Sequence, residues 1–257
     1  MSSPADRRFD LVVFGATSFV GQILCRHLVD RHGTEGPLRW AIAGRSAAKL
    51  DEVAAATGAE VERIVVDASD AAGLLDLAEA TRVVVSTVGP YALYGSPLVG
   101  AVAAAGTDYC DLTGEPQWMR RMIDAHTPAA EASGARIVHA SGFDSIPSDL
   151  GVWFTQQRAI EQLGQPCTRV DMRVETMKGG ASGGTIASML NLLEEAAADP
   201  ALRKQLADPY VLAPPDHRSG PSQPEPPVNL NAVLGPSRSD TLDGPDRVWP
   251  GHGRYLR

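Results

Sequence analysis

The chain has 257 residues, enough for one large hydrophobic core or two modest ones. Hydrophobic residues make up 44% and charged residues 21% of it, which is typical of folded globular proteins and unlike disordered ones. The net charge is −8 at pH 7 and no basic cluster is present, so nucleic acid is not expected as a partner.

The cysteines and the N-terminal stretch indicate the cellular compartment. Cys25, Cys110 and Cys167 are too widely spaced for a disulfide framework or a zinc pattern, so we expect reduced thiols and no metal. The N-terminal MSSPADRRFD has no apolar core of the kind that a secretory signal needs, and no apolar run reaches the length of a transmembrane helix. We therefore expect a cytoplasmic protein. Peripheral contact with a membrane stays open, as does a homodimer.

From residue 10 to residue 140, short apolar runs alternate with longer helical patterns. Short runs rich in β-branched residues are typical of strands buried on both faces. The predicted strands are LVVFG (11–15), RWAIAG (39–44), RIVVD (63–67), RVVVST (82–87), DYCDL (108–112) and ARIVHA (135–140). Their alternation with helices predicts an α/β fold over residues 1–147, a Rossmann-type doubly wound parallel sheet.

The helices between these strands have recognisable faces and ends. The first predicted helix carries an apolar stripe that would pack on the sheet, formed by Val20, Ile23, Leu24 and Leu28. Cap residues mark the ends of the next three helices. Ser46 begins and Gly58 ends the second helix, the third begins after Asp70, and the fourth runs from Pro97 to Gly106.

After residue 147 the pattern changes. The stretch SDLGVWFTQQRAIEQLG (148–164) predicts a helix capped by Ser148, TRVDMRVET (168–176) a half-exposed strand, and a further helix begins near Thr185. Residues 148–207 are therefore interpreted as a linking helix and the start of an α+β second domain. Residues 208–257 are rich in Pro, Ser and Gly, and we expect a long loop or disorder there.

The segment GATSFVG (15–21) joins the first strand to the first helix, where dinucleotide-binding domains carry three glycines. Gly15 and Gly21 take the first and third positions and Ser18 takes the second, where a Cβ requires a negative φ. Backbone N–H groups and the helix dipole attract a phosphate without help from a glycine. The hydroxyls of Thr17 and Ser18 are further candidate donors. We therefore predict a pyrophosphate site formed by Gly15, Thr17, Ser18, Phe19, Val20 and Gly21.

The end of the second strand indicates which dinucleotide binds. An NAD site usually has an acidic residue there, whereas an arginine suits the 2′-phosphate of NADP. The strand ends in AIAGRS, which places Arg45 and Ser46 at this point and predicts NADPH as the cofactor. Asp67, after the third strand, is a candidate for contact with the adenine, and capping of the following turn explains it equally well.

The segment STVGPYALYG (86–95) follows the fourth strand, near the switch point of the sheet where ligands bind. Thr87, Gly89 and Pro90 are predicted to flank the nicotinamide. Tyr91 and Tyr94 would either face the cleft or pack under the loop.

Polar residues also follow the fifth and sixth strands, where they either line a catalytic cleft or cap turns. They are Asp111, Thr113, Glu115, Gly142, Phe143, Asp144 and Ser145. A nucleophile triad is not evident, which suits hydride transfer because the cofactor carries that chemistry. The candidates for a protonating acid are Tyr94 and Asp144.

Several motifs occur together in a characteristic order. VVFGATSFVG, AIAGR, STVGPYALYG, YCDLTGE, SGFDSIPSDLG and SGGTIASM resemble those of saccharopine dehydrogenase-like oxidoreductases, and among these the trans-acting enoyl reductases of mycobacteria. The resemblance covers roughly residues 8–200. It implies NADPH-dependent reduction of a carbon–carbon double bond in a polyketide- or fatty-acyl-derived lipid that a separate synthase supplies. Family members are longer, so we expect this chain to lack much of the second domain. They usually have glycine where this chain has Ser18.

Two other functions stay open. The chain could reduce an imine or an amino acid adduct, as saccharopine dehydrogenases themselves do. It could also be a non-catalytic NADP-binding remnant or scaffold, whose signature would be tight cofactor binding without reduction of any enoyl thioester.

Overall fold

A computed structural model describes residues 7–214 except 173, 175, 177–179, 181 and 209, and the strands of this part form one parallel sheet. They are Phe9–Phe14 (β1), Trp40–Gly44 (β2), Glu62–Val65 (β3), Thr81–Ser86 (β4), Asp108–Asp111 (β5) and Ile137–Val138 (β6). Their spatial order is β3-β2-β1-β4-β5-β6, so the winding direction reverses between β1 and β4. This order confirms the predicted doubly wound Rossmann sheet.

Helices follow the strands, and their ends are largely those that the cap residues predict. They are Phe19–His32 (α1), Ala47–Thr57 (α2), Ala71–Ala80 (α3), Tyr91–Tyr94 (α4), Ser96–Ala105 (α5), Pro116–Ser133 (α6), Ile146–Leu163 (α7), Gly183–Ala198 (α8) and Pro200–Leu206 (α9). Ser46 caps α2 by accepting the N–H of Lys49, and Asp70 caps α3 in the same way. Gly58 and Gly106 end α2 and α5 in the left-handed conformation. These caps confirm the predictions made for them.

The sheet carries an apolar core on each face, because successive side chains of a strand point to opposite sides. One core joins Val12, Phe14, Val84 and Tyr109 to α3, α5 and α6, and the other joins Val13 and Ile42 to Cys25, Leu28, Leu50 and Val53 of α1 and α2. Burial on both faces holds for β2, whose five residues are all buried. The prediction of burial on both faces is wrong for β3. Its residues are mostly exposed because β3 lies at the edge of the sheet.

The face by which α1 packs differs from the predicted stripe. Its buried residues are Gly21, Cys25 and Leu28, while Ile23 is 50% exposed. Their spacing, i, i+4, i+7, is that of one helix face, but Gly21 and Cys25 have small side chains. Small side chains let the helix axis approach β1 closely, which turns the larger Ile23 outward.

The described residues divide into two units, 7–142 with 182–214, and 143–180. The break therefore follows Gly142 rather than residue 147, and α8 and α9 group with the first unit. In the second unit α7 begins at Ile146 with Ser145 at its N-cap, three residues before the predicted cap Ser148. The earlier start fits Pro147, since the first turn of a helix needs no intrahelical N–H donor.

Two predicted segments lie partly outside the described residues. Within 168–176, residues 173 and 175 are outside, and the others form no regular strand, with only an isolated bridge at Val170. Of the predicted loop 208–257, the described residues 208 and 210–214 form turns, and residues 215–257 are outside.

The helix α8 contacts the rest of the first unit through polar side chains. The hydroxyl of Ser188 donates to Glu115 at 2.9 Å, and Glu195 pairs with Arg121 at 3.5 Å. The apolar side chains of α8 are exposed, namely Ile186, Met189, Leu190 and Leu193. The polar contacts explain why α8 groups with the first unit although it follows α7 in the chain.

We expect Asp108 at the start of β5 to stabilise the fold in a pH-dependent way. Hydrogen bonds from the Arg136 side chain hold the pKa of Asp108 below its ordinary value. A carboxyl whose pKa is lower in the folded state contributes stability above its unfolded pKa and loses it as the pH falls. Asp108→Asn should therefore cost about 1 kcal/mol at neutral pH and almost nothing near pH 3, measured by urea unfolding. In an Arg136→Met background this pH dependence should be smaller, because only the backbone N–H of residue 136 and the charge of Arg7 still lower the pKa of Asp108, and an undiminished dependence there would contradict the assignment.

Candidate cofactor site

The turn between β1 and α1 requires glycine at its two ends. Gly15 has a φ of +88°, and a Cβ on it would lie 2.6 Å from Cγ2 of Val88 and 2.9 Å from Oγ1 of Thr87. A Cβ on Gly21 would lie 2.4 Å from the carbonyl oxygen of Gly15. The first glycine thus makes the tight turn and the third lets the helix pack against it, the roles of these positions in a dinucleotide site.

Ser18 fits the second position because its φ is −71°, which suits any L-residue. It is the N-cap of α1, and its Oγ accepts the N–H of Gly21 at 2.9 Å. The same hydroxyl donates to Oγ1 of Thr87 at 2.9 Å. The Ser18 hydroxyl proton therefore serves the turn itself, in contrast to its expected role as a phosphate donor.

Thr87, which follows β4, fixes the β1–α1 turn by hydrogen bonds. Its buried Oγ1 donates to the carbonyl of Gly15 at 2.8 Å, and its backbone N–H donates to the carbonyl of Phe14 at 2.9 Å. Together with Ser18, this connects the end of β4 to the turn after β1. The predicted contact of Thr87 with the nicotinamide stays a prediction, and its side chain is directed to the β1–α1 turn.

The first turn of α1 leaves N–H groups available for an anion. The N–H of Ser18 donates to Gly15 and that of Gly21 to Ser18, whereas Phe19 and Val20 have no intrahelical acceptor at this position. The 14-residue helix adds the positive end of its dipole. Backbone N–H groups at a helix N-terminus bind phosphate well. Phe19 itself is 69% exposed, so access from solvent is open.

The end of β2 presents a cation next to this turn. Arg45 is exposed, and it takes part in none of the ion pairs found among the described residues. The methyl of Thr17 would be 3.9 Å from a Cβ on Gly44, which places the turn and the end of β2 side by side. Ser46 caps α2, and its hydroxyl proton remains available as a donor.

Asp67, after β3, closes its own turn. Its Oδ1 accepts the N–H of Ser69 at 2.9 Å and the Ser69 hydroxyl at 2.7 Å. These hydrogen bonds lower the pKa of Asp67, and the charge of Arg45 lowers it further. The turn-capping explanation is present in the structure, and contact of Asp67 with adenine stays a prediction.

The loop after β4 separates the two tyrosines. Tyr91 is buried, its hydroxyl donates to the carbonyl of Ser86 at 3.0 Å, and burial raises its pKa. Of the two alternatives for Tyr91, the structure shows packing under the loop, because its ring fills the core there and packs on Trp118. Tyr94 is 46% exposed. The cis peptide bond between Gly89 and Pro90 turns the chain at the predicted nicotinamide position.

The acidic residues after β5 are buried and serve the loops. Glu115 accepts the N–H groups of Tyr91 and Ala92, at 2.8 and 2.9 Å, so its carboxylate holds the N-terminus of α4. The Thr113 hydroxyl accepts the N–H of Glu115. Asp144 is exposed and lies in the second unit. The role of Tyr94 and Asp144 as proton donors stays a prediction.

One hydrogen-bonded pair of side chains was not predicted from the sequence. Nδ1 of His139, which directly follows β6, lies 2.7 Å from Oδ2 of Asp111, the last residue of β5. The signal was a histidine in ARIVHA at the end of the sixth predicted strand, beside an aspartate at the end of the fifth.

Neither a metal centre nor a membrane span is found among the residues described. No three His, Cys, Asp or Glu side chains there come close enough to hold a metal ion. None of the described helices has the length and apolar character that crossing a bilayer requires.

The strand order, the glycine turn and the exposed arginine after β2 define a dinucleotide-binding domain of the Rossmann class. Residues 11–138 match the family of saccharopine dehydrogenase NADP binding domains. This part of the chain belongs to that family.

Similar proteins come from mycobacteria. A Mycobacterium tuberculosis H37Rv protein provisionally named a trans-acting enoyl reductase is 47% identical over 98% of this chain and 60% of its own length. The trans-acting enoyl reductase of Mycobacterium leprae is 41% identical over 91% of this chain and 57% of its own. The chain thus spans about three fifths of the length of these curated relatives. Among solved structures, apo saccharopine dehydrogenase (L-Glu forming) from Saccharomyces cerevisiae is 19% identical, with a TM-score of 0.44 over 59% of this chain and 32% of that one.

Proposed function

We propose that this chain binds NADPH along the carboxyl edge of β1, β2 and β4 and forms the cofactor-binding part of an enoyl reductase. The observation that carries the proposal is the β1–α1 turn, where any Cβ on Gly15 or Gly21 would collide with neighbouring atoms. Such a turn needs glycine for close packing at the place where a pyrophosphate approaches the backbone. The exposed guanidinium of Arg45 beside it suits a 2′-phosphate and thus NADPH rather than NADH.

The residues have distinct roles in this proposal. The N–H groups of Phe19 and Val20 bind the pyrophosphate, and Ser18 and Thr87 keep the turn in shape through their hydrogen bonds. Arg45 and Ser46 bind the 2′-phosphate, and Gly89 and Pro90 flank the nicotinamide. When bound, NADPH supplies a hydride to a carbon–carbon double bond.

The substrate and partner proposed here follow the names of the relatives. We infer a polyketide- or fatty-acyl-derived lipid intermediate, presented by a separate synthase in the cytoplasm, because a trans-acting enzyme works on a substrate that another protein carries. The relatives extend well beyond this chain, so the complete reaction is proposed for the architecture that they share.

We expect Arg45→Ala to remove the preference for NADPH. Its guanidinium is the cation that the end of β2 offers to the predicted 2′-phosphate, and a charge-assisted contact of this kind is worth at least about 1.4 kcal/mol, or tenfold in affinity. Calorimetric titration with NADPH and NADH, side by side, measures the preference. The wild type should bind NADPH at least about tenfold more tightly, and the variant should bind the two alike.

Arg26→Ala is the matched control, since Arg26 is an exposed arginine within α1. It should leave both affinities unchanged. Equal loss of NADPH binding in the two variants would indicate a general charge effect and contradict a 2′-phosphate site at Arg45. No binding of either dinucleotide to the wild type would contradict the proposed cofactor site itself.

The reaction is tested separately from cofactor binding. We expect NADPH oxidation, followed by its absorbance, with a trans-2-enoyl thioester and not with a cyclic imine. Turnover of the imine alone would favour a reductase of amino acid adducts. Tight NADPH binding without turnover of either compound would favour a non-catalytic NADP-binding protein.

A further inference from the structure

Asp111 and His139 lie on the edge of the sheet that carries the candidate cofactor site. Backbone register pairs Phe14 with Ser86 and Ser86 with Asp111, and His139 directly follows the residue of β6 that pairs with Cys110. The ends of β1, β4, β5 and β6 are therefore level with one another. Since adjacent strands lie about 4.8 Å apart, the backbone of His139 is about 10 Å from the end of β4. A nicotinamide over β4 and a small acyl group beside it would span that interval.

The surroundings of Asp111 fix its carboxylate where it orients the imidazole of His139. Its side chain is fully buried, and its Oδ1 accepts the N–H groups of Thr113 and Ala140, each at 3.1 Å. A carboxylate only accepts hydrogen bonds, so Nδ1 of His139 is the protonated nitrogen of this pair. The second nitrogen, Nε2, is then the one left for contact with a substrate.

The backbone after His139 is strained in a way that serves this pair. Ala140 has a φ of +54° and is the only non-glycine residue with a positive φ in the described part of the chain. A non-glycine residue in the left-handed region costs of order 1 kcal/mol and persists where its surroundings over-determine it. Here the conformation directs the N–H of Ala140 onto Asp111.

The ring of His139 is fixed, and its Nε2 is available. Trp118 and Tyr109 contact it edge to face, with centroid distances of 5.0 and 5.9 Å. Nε2 makes no hydrogen bond to a described residue and is not fully enclosed, and the side chain as a whole is 9% exposed. Among the described residues, Tyr109 of β5 contacts the ring, Tyr91 packs on Trp118, and the Glu115 carboxylate accepts the N–H of Tyr91. Burial raises the pKa of both tyrosines, so they stay protonated near neutral pH.

We propose that His139 is the acid that protonates the substrate carbon after hydride transfer, with Asp111 as its positioning residue. The inference rests on the proposed enoyl reduction. Hydride addition to the β-carbon moves the electron pair of the double bond to the α-carbon and the thioester carbonyl. The imidazolium of His139 gives its Nε2 proton to the α-carbon, which completes the saturated thioester. The neutral imidazole then takes a proton from water, so one proton is consumed per NADPH.

A chemical test of this placement requires no turnover. Diethyl pyrocarbonate acylates an accessible, neutral imidazole nitrogen, and peptide mass spectrometry measures the rate at each histidine. We expect saturating NADPH to slow the acylation of His139 at least fivefold, while the exposed His27 and His32 of α1 react at unchanged rates. Unchanged acylation of His139 with NADPH demonstrably bound, or no acylation in either state, would overturn the inference and leave the cofactor proposal intact.

The proton step is tested with His139→Gln and Asp111→Asn, using trans-2-octenoyl N-acetylcysteamine thioester as the probe. For His139→Gln we expect kcat to fall about 100-fold, with KM for the probe and Kd for NADPH within threefold of wild type. The wild-type rate should fall with rising pH as the acid loses its proton, and this dependence should be absent in His139→Gln. Asp111→Asn should lower kcat about tenfold and shift the pH profile, and Asp111→Glu should restore part of it.

The outcomes separate the two proposals. An unaltered kcat and pH profile in a folded His139→Gln variant would overturn the inference alone. Failure of the wild type to bind NADPH, or to reduce the probe while binding it, would overturn the proposed function and the proton step with it. If the His139→Gln variant does not fold, the labelling of the wild type still decides the placement.

Discussion

Gly21→Ala is expected to destroy the cofactor site and to destabilise the protein by about 3 kcal/mol. The added Cβ would lie 2.4 Å from the carbonyl oxygen of Gly15 and 2.8 Å from Cα of Ala16, and both are backbone atoms that cannot rotate away. The helix must therefore move off the turn, and its N–H groups move with it. Calorimetry should show NADPH affinity reduced at least about tenfold, and urea unfolding should show the loss of stability.

Gly151→Ala is the matched control for this substitution. Gly151 lies inside α7, its Cβ would have no described atom within 4 Å apart from the adjoining backbone of that helix, and alanine favours a helix over glycine by about 1 kcal/mol. The control should bind NADPH as the wild type does, with equal or higher stability. Normal NADPH binding by Gly21→Ala would contradict the close packing of α1 on the turn.

Arg7→Met is expected to cost about 3 to 5 kcal/mol of stability, because it removes a buried cation that donates hydrogen bonds to several carbonyl groups. The guanidinium donates to the carbonyls of Ala78 at 3.1 Å and Ala105 at 2.6 Å, near the C-terminal ends of α3 and α5, and to the hydroxyl of Thr107. Carbonyls at a helix C-terminus lack intrahelical donors and carry partial negative charge. Without Arg7 the carbonyl of Ala105 would lose this buried donor, and the carbonyl of Ala78 would keep only the Thr107 hydroxyl and the Thr81 N–H. Urea unfolding measures the loss.

The neighbouring Arg8→Met is the control. The side chain of Arg8 is 67% exposed and pairs with Glu62 at the surface, so its loss should cost less than about 1 kcal/mol. Both variants should bind NADPH normally, because Arg7 precedes β1 and lies at the opposite edge of the sheet from the turn. Equal costs for the two arginines would contradict the capping role of Arg7.

Features carried by neighbouring residues were predictable. The caps Ser46 and Asp70 and the terminal Gly58 act on groups within about one helical turn, so their residue types suffice to place them. The φ values of Gly15 and Ser18 follow from the same local rules. The predicted strands recur in the structure for this reason, although the sixth is reduced to Ile137–Val138.

Features that depend on which side chains meet were predicted less well. Tyr91 was as compatible with a cleft as with the core, and the residues it contacts, Ser86 and Trp118, belong to different elements. The α1 stripe was wrong at Ile23 because hydrophobicity alone does not reveal that small residues face the sheet. Glu115 was a candidate residue of a catalytic cleft. Its carboxylate instead accepts hydrogen bonds from Tyr91 of α4 and Ser188 of α8.

The sequence by itself therefore determined the alternation of strands and helices, the glycine turn and the arginine that follows β2, because short-range backbone preferences and residue spacing encode them. The tertiary structure decided which polar groups pair. Asp111 and His139 are 28 residues apart and Arg7 and Thr107 are 100 apart, and each pair meets only once the strands have taken their order and register. Strand register is a property of the assembled sheet, so no local pattern in the chain specifies these contacts.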